Sequence, residues 1–202
     1  MGHFYTKIIL PEVSQESLAD YLNLISRKTY VSPTINGFTI VYDQKSADKS
    51  QELFQLTCQL SSIFGCPALA ILVHDDLILH YELYQAGKIK DEYLSDIGFH
   101  NLEAQNYPEG GNAQTLCSIL NVNNAASKVR VILNTPSSSK GYAHASSRLT
   151  RLIKALGISS FWATDCVGGY QDIEQGDITP TTKKDPNPKL ALSLMTKTRS
   201  DS

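Results

Sequence analysis

Asn36-Gly37 stands between two runs rich in β-branched and aromatic residues, Val31–Ile35 and Phe38–Tyr42. Both residues tolerate positive φ, which a type I′ turn needs at its two central positions. The pair therefore predicts a tight hairpin, and with it an antiparallel sheet. Phe4–Leu10 is a further strand, ended by Pro11. Ser14 can cap a helix, with Glu16 in its first turn, and Leu18, Tyr21, Leu22 and Ile25 fall on one helical stripe. After the hairpin, Leu53, Leu56, Leu60 and Ile63 predict a second helix over residues 47–64, stopped by Gly65. Ala68–Val73 is a short apolar run that suits a fully buried strand. The order β-α-β-β-α-β is ferredoxin-like and places both helices on one face of the sheet.

A hairpin extends this start. Asp75-Asp76 reads as a two-residue turn into a strand at Leu77–Tyr84. Gln85-Ala86-Gly87 then reads as a three-residue loop with a bulge, pairing Tyr84 with Lys88, Glu82 with Lys90 and His80 with Glu92. In that register Leu79, Tyr81, Leu83, Ile89 and Tyr93 share the other face, with Asp91 as its polar member. Asn112 can cap a short helix carrying Leu116, Ile119 and Leu120. Val129–Leu133 fits both a strand and a helix, and is read as a helix. A helix over residues 143–156 ends at Gly157, and Ile158–Ala163 is read as a strand. The expected architecture is α+β, one domain over residues 1–179. A loose basic tail follows over 180–202, where Lys189–Met195 could dock as an edge strand.

With 42% hydrophobic residues the chain can fill a core, and a net charge of −2 offers no general attraction to nucleic acid or anionic membranes. No apolar run approaches the roughly 20 residues of a membrane span. The start lacks the basic and apolar regions of a signal peptide, so a cytoplasmic location and reduced cysteines are expected.

The run Ala68-Leu69-Ala70-Ile71-Leu72-Val73-His74-Asp75-Asp76, with Tyr81-Glu82-Leu83-Tyr84, Gly87 and Asp91-Glu92-Tyr93, resembles a pattern recurring in uncharacterised bacterial proteins. Gly110-Gly111-Asn112-Ala113 and Ala155-Leu156-Gly157-Ile158 fit the same pattern, over about residues 68–176. The resemblance implies a shared bacterial fold. It carries no activity and no functional residues.

Motifs of chemistry are sparse. In the expected two-residue turn, His74 and His80 fall on opposite faces, which excludes a metal shared with Asp75 and Asp76. The glycine pairs match no phosphate-binding loop, and Ser137-Ser138-Ser139-Lys140 lies in a Pro/Ser loop, the wrong context for a nucleophilic serine. The segment 95–111 is longer than connectors usually are, and such stretches are often functional. It supplies the candidate binding residues Asp96, Phe99, His100, Glu103 and Tyr107. The leading expectation is a non-enzymatic binding or protein-interaction module with this contact region, without cofactor or metal. A homodimer that covers a sheet edge is also expected. The alternative is a small hydrolase or transferase using Cys166 with His144, or His100 with Glu103. A third option is a phosphate or nucleic-acid binder through Arg148, Arg151 and Lys154 on one helical face.

Overall fold

The computed structural model describes residues 4–96, 107–137, 141–164, 169–176 and 192–198. The first half runs β1 (Phe4–Pro11), α1 (Gln15–Leu24), β2 (Thr29–Val31), β3 (Phe38–Asp43), α2 (Ser50–Phe64) and β4 (Pro67–His74). Then come β5 (Ile78–Gln85), β6 (Lys88–Leu94) and β7 (Glu109–Gly110). The second half adds α3 (Ala113–Ile119), α4 (Ala126–Asn134), α5 (Ala145–Ala155), α6 (Ser160–Ala163), α7 (Tyr170–Gln175) and β8 (Thr196–Lys197). The eight strands among the described residues join one antiparallel sheet in the order β7-β6-β5-β4-β1-β3-β2-β8. The fold is α+β.

Side-chain alternation along each strand sorts the core into two layers. Ile8, Leu10, Val41, Ala68, Ala70 and Leu72 meet Leu18, Leu22, Leu53, Leu56 and Leu60 of α1 and α2. Tyr5, Ile9, Ile40, Leu69, Ile71, Val73, Tyr81 and Leu83 face the other way, onto α3 to α7. β4 is covered on both faces, as its unbroken apolar run demands. Each leucine buried in these layers contributes about 1.5–3 kcal/mol.

Local signals set most boundaries. Ser14 accepts a hydrogen bond from the Ser17 amide at 3.1 Å, and Asn112 from the Thr115 amide at 3.0 Å, so both predicted caps form. Asn36 and Gly37 sit at φ 54° and 79°, as the type I′ turn requires. The regular strand before them ends early, at Val31: the Ser32 amide still donates to the Ile40 carbonyl, but the Ile40 amide donates to the Ser32 hydroxyl in place of its carbonyl, and an Ile35–Phe38 bridge closes the turn. Ile63, expected in the core, is exposed on α2.

One C-terminal segment differs from expectation. Residues 160–163 form α6 instead of a strand, and Phe161, Trp162 and Ala163 are all buried, a pattern that alternation cannot produce. Val129–Leu133 is helical, within α4, in agreement with the reading from sequence. In the tail, β8 pairs with β2 and lies just past the Lys189–Met195 segment. Thr198 is buried beside it, accepting a hydrogen bond from the Thr29 amide at 2.9 Å, and Lys197 holds Glu174 at 2.8 Å.

Candidate functional site

The turn between β5 and β6 is set by its contact with α2. Ala86 and Gly87 take φ 50° and 70°, so the turn has two residues, not three. The Gly87 carbonyl accepts the Cys58 S–H at 3.1 Å, and its amide lies 3.4 Å from the Ser61 hydroxyl. A Cβ at Gly87 would meet the Ser62 side chain at 3.1 Å, at a positive φ, so glycine fits best where the turn lies this close to α2.

A two-residue turn alone would send Tyr93 to the wrong face. A β-bulge corrects this. Pairing starts as Gln85–Lys88 and Tyr84–Ile89, skips Lys90, and continues as Leu83–Asp91, Glu82–Glu92 and Tyr81–Tyr93. The expected pairs Glu82–Lys90 and His80–Glu92 are thereby overturned, and Ile89 moves onto the face of Tyr84, half exposed. Burial drives the shift. Tyr93 is fully enclosed and stacks on Tyr81 with ring centroids 5.3 Å apart. Asp91 also points to this face, accepting the Tyr81 hydroxyl at 2.7 Å and the Asn112 amide at 2.9 Å.

The opposite face of the same ladder then gathers three ligand-type side chains. His80 Nε2 lies 3.3 Å from Glu92 Oε1 and 3.8 Å from Glu82 Oε1. The ligand atoms of the three residues all lie within 4.8 Å of one another. The Glu82 side chain is 12% exposed and that of Glu92 60%, so the cluster runs from a shielded floor to solvent. Phe54 of α2 packs on the His80 ring at 4.9 Å, and the Tyr84 hydroxyl donates to Glu82 Oε2. Burial raises the Glu82 pKa; the Tyr84 hydrogen bond opposes this and repulsion from Glu92 adds to it.

Beside the cluster lies a broad groove of about 600 Å³. Phe54, Cys58 and Tyr84 make its apolar floor, and Ser50, Gln51, Gln55 and Gln59 its uncharged polar rim. A smaller polar cavity of about 140 Å³ lies between Tyr5, Thr6, Gly169, Tyr170 and Asp172. Nearby, Lys7 is buried in mid-strand with Nζ donating to the Thr164 carbonyl at 3.0 Å.

The residues expected from sequence are scattered. Phe99, His100, Glu103 and Cys166 lie outside the described residues. Asp96 is half-buried just past β6, and Tyr107 is exposed before β7. His144 stands at the start of α5 with Nδ1 3.1 Å from Asp76, which caps that helix by accepting the Ser146 amide at 2.8 Å. Arg148 does not share an exposed face with Arg151 and Lys154. It is fully buried, donating to the Ile132 carbonyl at 2.7 Å and to Ser137 at 3.2 Å, with its guanidinium 4.5 Å from the Tyr142 ring centroid. The Ile132 carbonyl, with that of Leu133 at 3.4 Å, lies at the end of α4, where a cation is favourable.

His74 and His80 also correct the expectation. The β4–β5 turn has three residues, which pairs His74 with Ile78 and Leu72 with His80 and so brings both histidines to one face. They still serve different neighbours: His74 Nε2 lies 3.7 Å from Asp75, while His80 joins the two glutamates. The alternation His80-x-Glu82 and the placing of Glu92 on the same face were readable in the sequence. The bulge that brings Glu92 directly opposite Glu82 was not.

Among the described residues, no helix is long and apolar enough to cross a membrane. Compared with protein-family models, with curated proteins and with solved structures, the chain matches none.

Proposed function

We propose that this chain is a non-enzymatic binding module whose ligand site is the surface formed by α2, β5 and β6 around Phe54, Tyr84 and the His80–Glu82–Glu92 cluster. One observation carries the reading: an apolar floor with an uncharged rim adjoins the convergent polar groups of His80, Glu82 and Glu92. Small-molecule sites combine these same elements, an apolar lining for affinity and a few polar groups for orientation, in roughly 300–1,000 Å³. The proposed surface on the α2 side of the β5–β6 ladder does not include the candidates Asp96, Phe99, His100, Glu103 and Tyr107.

The strand order β4-β1-β3-β2 within the larger sheet, with α1 and α2 on one face, supports a ferredoxin-like start as the scaffold. The thiols of Cys58, Cys66 and Cys117, none in a disulfide, fit a reducing compartment such as the cytoplasm. Among the described residues, β7 pairs with the Tyr93–Leu94 end of β6 and the Gly111 amide holds the Glu92 carbonyl, so the Lys88–Asp91 stretch is a candidate edge for a homodimer.

Cys58 gives a direct test, because its thiol lines the groove. A library of disulfide-bearing fragments is screened against the full chain under partly reducing conditions, with capture read by intact mass. The reading expects amphiphilic fragments selected at Cys58, with selection lost in Phe54→Ala. Capture that ignores fragment structure, or that is equal at Cys58 and Cys66, contradicts it.

A further inference from the structure

We infer that His80, Glu82 and Glu92 form a binding site for a divalent transition-metal cation of the zinc class. The inference rests on the reading of this surface as the ligand site and names one ligand for it.

Three independent features of the cluster fit an ion. The first is spacing. A tetrahedral ion with bonds of about 2.0–2.1 Å sets its ligand atoms roughly 3.3–3.5 Å apart. His80 Nε2 already lies 3.3 Å from Glu92 Oε1 and 3.8 Å from Glu82 Oε1, so small side-chain rotations would close a three-ligand cradle. The second is orientation. Tyr84 holds Glu82 by Oε2, which turns Oε1 toward His80, and Phe54 fixes the plane of the imidazole. Groups behind the ligands perform this task in metal sites. The third is charge. Glu82 and Glu92 are directly opposed across the ladder, an arrangement that is unfavourable for two carboxylates unless a cation lies between them.

The donor set selects the metal. One imidazole and two carboxylates suit zinc, cobalt or manganese. Calcium and magnesium take oxygen ligands alone, and cuprous copper prefers thiolates. Three protein ligands leave a tetrahedral ion one further position, open to water or to a donor atom of a second ligand.

The test titrates the full chain with cobalt chloride and zinc chloride near neutral pH. Binding is read by visible absorption for cobalt and by calorimetry for zinc. Imidazole nitrogen shifts are followed by NMR in the unaltered protein, so this readout does not depend on any variant folding. We expect saturation at a single equivalent, a shift of the His80 nitrogen, and proton release on binding. Affinity should fall by at least the roughly 10–100-fold that losing a supporting group costs in His80→Asn and Glu92→Gln, and stay unchanged in His74→Asn. No saturable binding, or binding that leaves the His80 nitrogen unmoved, overturns the inference. If cation binding fails while fragment selection at Cys58 persists, the metal assignment falls alone. If cation binding holds while selection at Cys58 fails, the site is a metal centre without a small-molecule groove.

Discussion

Glu82 and Glu92 oppose each other directly across β5 and β6, with the His80 imidazole 3.3 Å from one and 3.8 Å from the other. The shielded member of this pair should show its cost in the stability of the protein. In chelated, metal-free buffer, Glu82→Gln removes the repulsion and can still accept the Tyr84 hydroxyl. A gain of about 0.2–1 kcal/mol is expected.

The gain should depend on pH with a definite sign. The folded-state pKa of Glu82 is raised, so its favourable contribution is complete below the ordinary glutamate value and is lost as pH rises through the raised one. Urea melts of both proteins across the acid-to-neutral range should therefore coincide in acid and separate as pH rises. A difference that is largest in acid would reverse the assignment.

The bulge makes a second prediction about pairing. Lys90 is the residue skipped by the ladder, so a double-mutant cycle between Glu82 and Lys90 should give no coupling beyond about 0.3–0.5 kcal/mol. The cycle between Glu82 and Glu92 should exceed that, with the sign of repulsion. Coupling to Lys90 instead would restore the three-residue turn.

Much of the scaffold was legible, because it rests on local chemistry. Ser14, Asn112 and Gly65 end or begin helices by their own hydrogen bonding or φ, and Asn36-Gly37 makes its turn by its own positive φ. The site was only half legible, because its geometry is tertiary. Contact of Gly87 with Cys58 and Ser61 selects the short turn, and burial of Tyr93 then forces the bulge. Neither partner lies within the hairpin window from which a register is read. Arg148 misled for a related reason: its spacing from Arg151 suggested one exposed face, yet the α4 carbonyls that hold it come from a different element.

That buried arginine gives a third prediction. Arg148→Ala strips the Ile132 carbonyl of its partner inside the core and removes the nearer of two guanidinium groups over the Tyr142 ring, and should cost about 2–4 kcal/mol. Arg151→Ala, on the exposed side of α5, should stay within about 0.5 kcal/mol. Thermal or urea unfolding of the two variants checks the contrast. Equal effects would mean that Arg148 is not committed to the α4 terminus.

The tail yields a fourth. Thr198→Val keeps the shape but leaves the buried Thr29 amide without its acceptor, at a cost of about 1–3 kcal/mol. Amide exchange at Thr29 should accelerate in the variant and in a chain lacking residues 192–202. Unchanged exchange would detach β8 from the sheet edge.

The central claim is the location of the ligand site, and amide-shift mapping addresses it most directly. The uniformly labelled chain is titrated with the amphiphilic fragments selected at Cys58, each prepared without its disulfide arm. The account predicts saturable shifts centred on Phe54, Cys58 and His80–Tyr84, with Asp96, Tyr107, Arg151 and Lys154 unmoved. Shifts that gather instead around Asp96 and Tyr107, or that never saturate at α2 and β5, would contradict it.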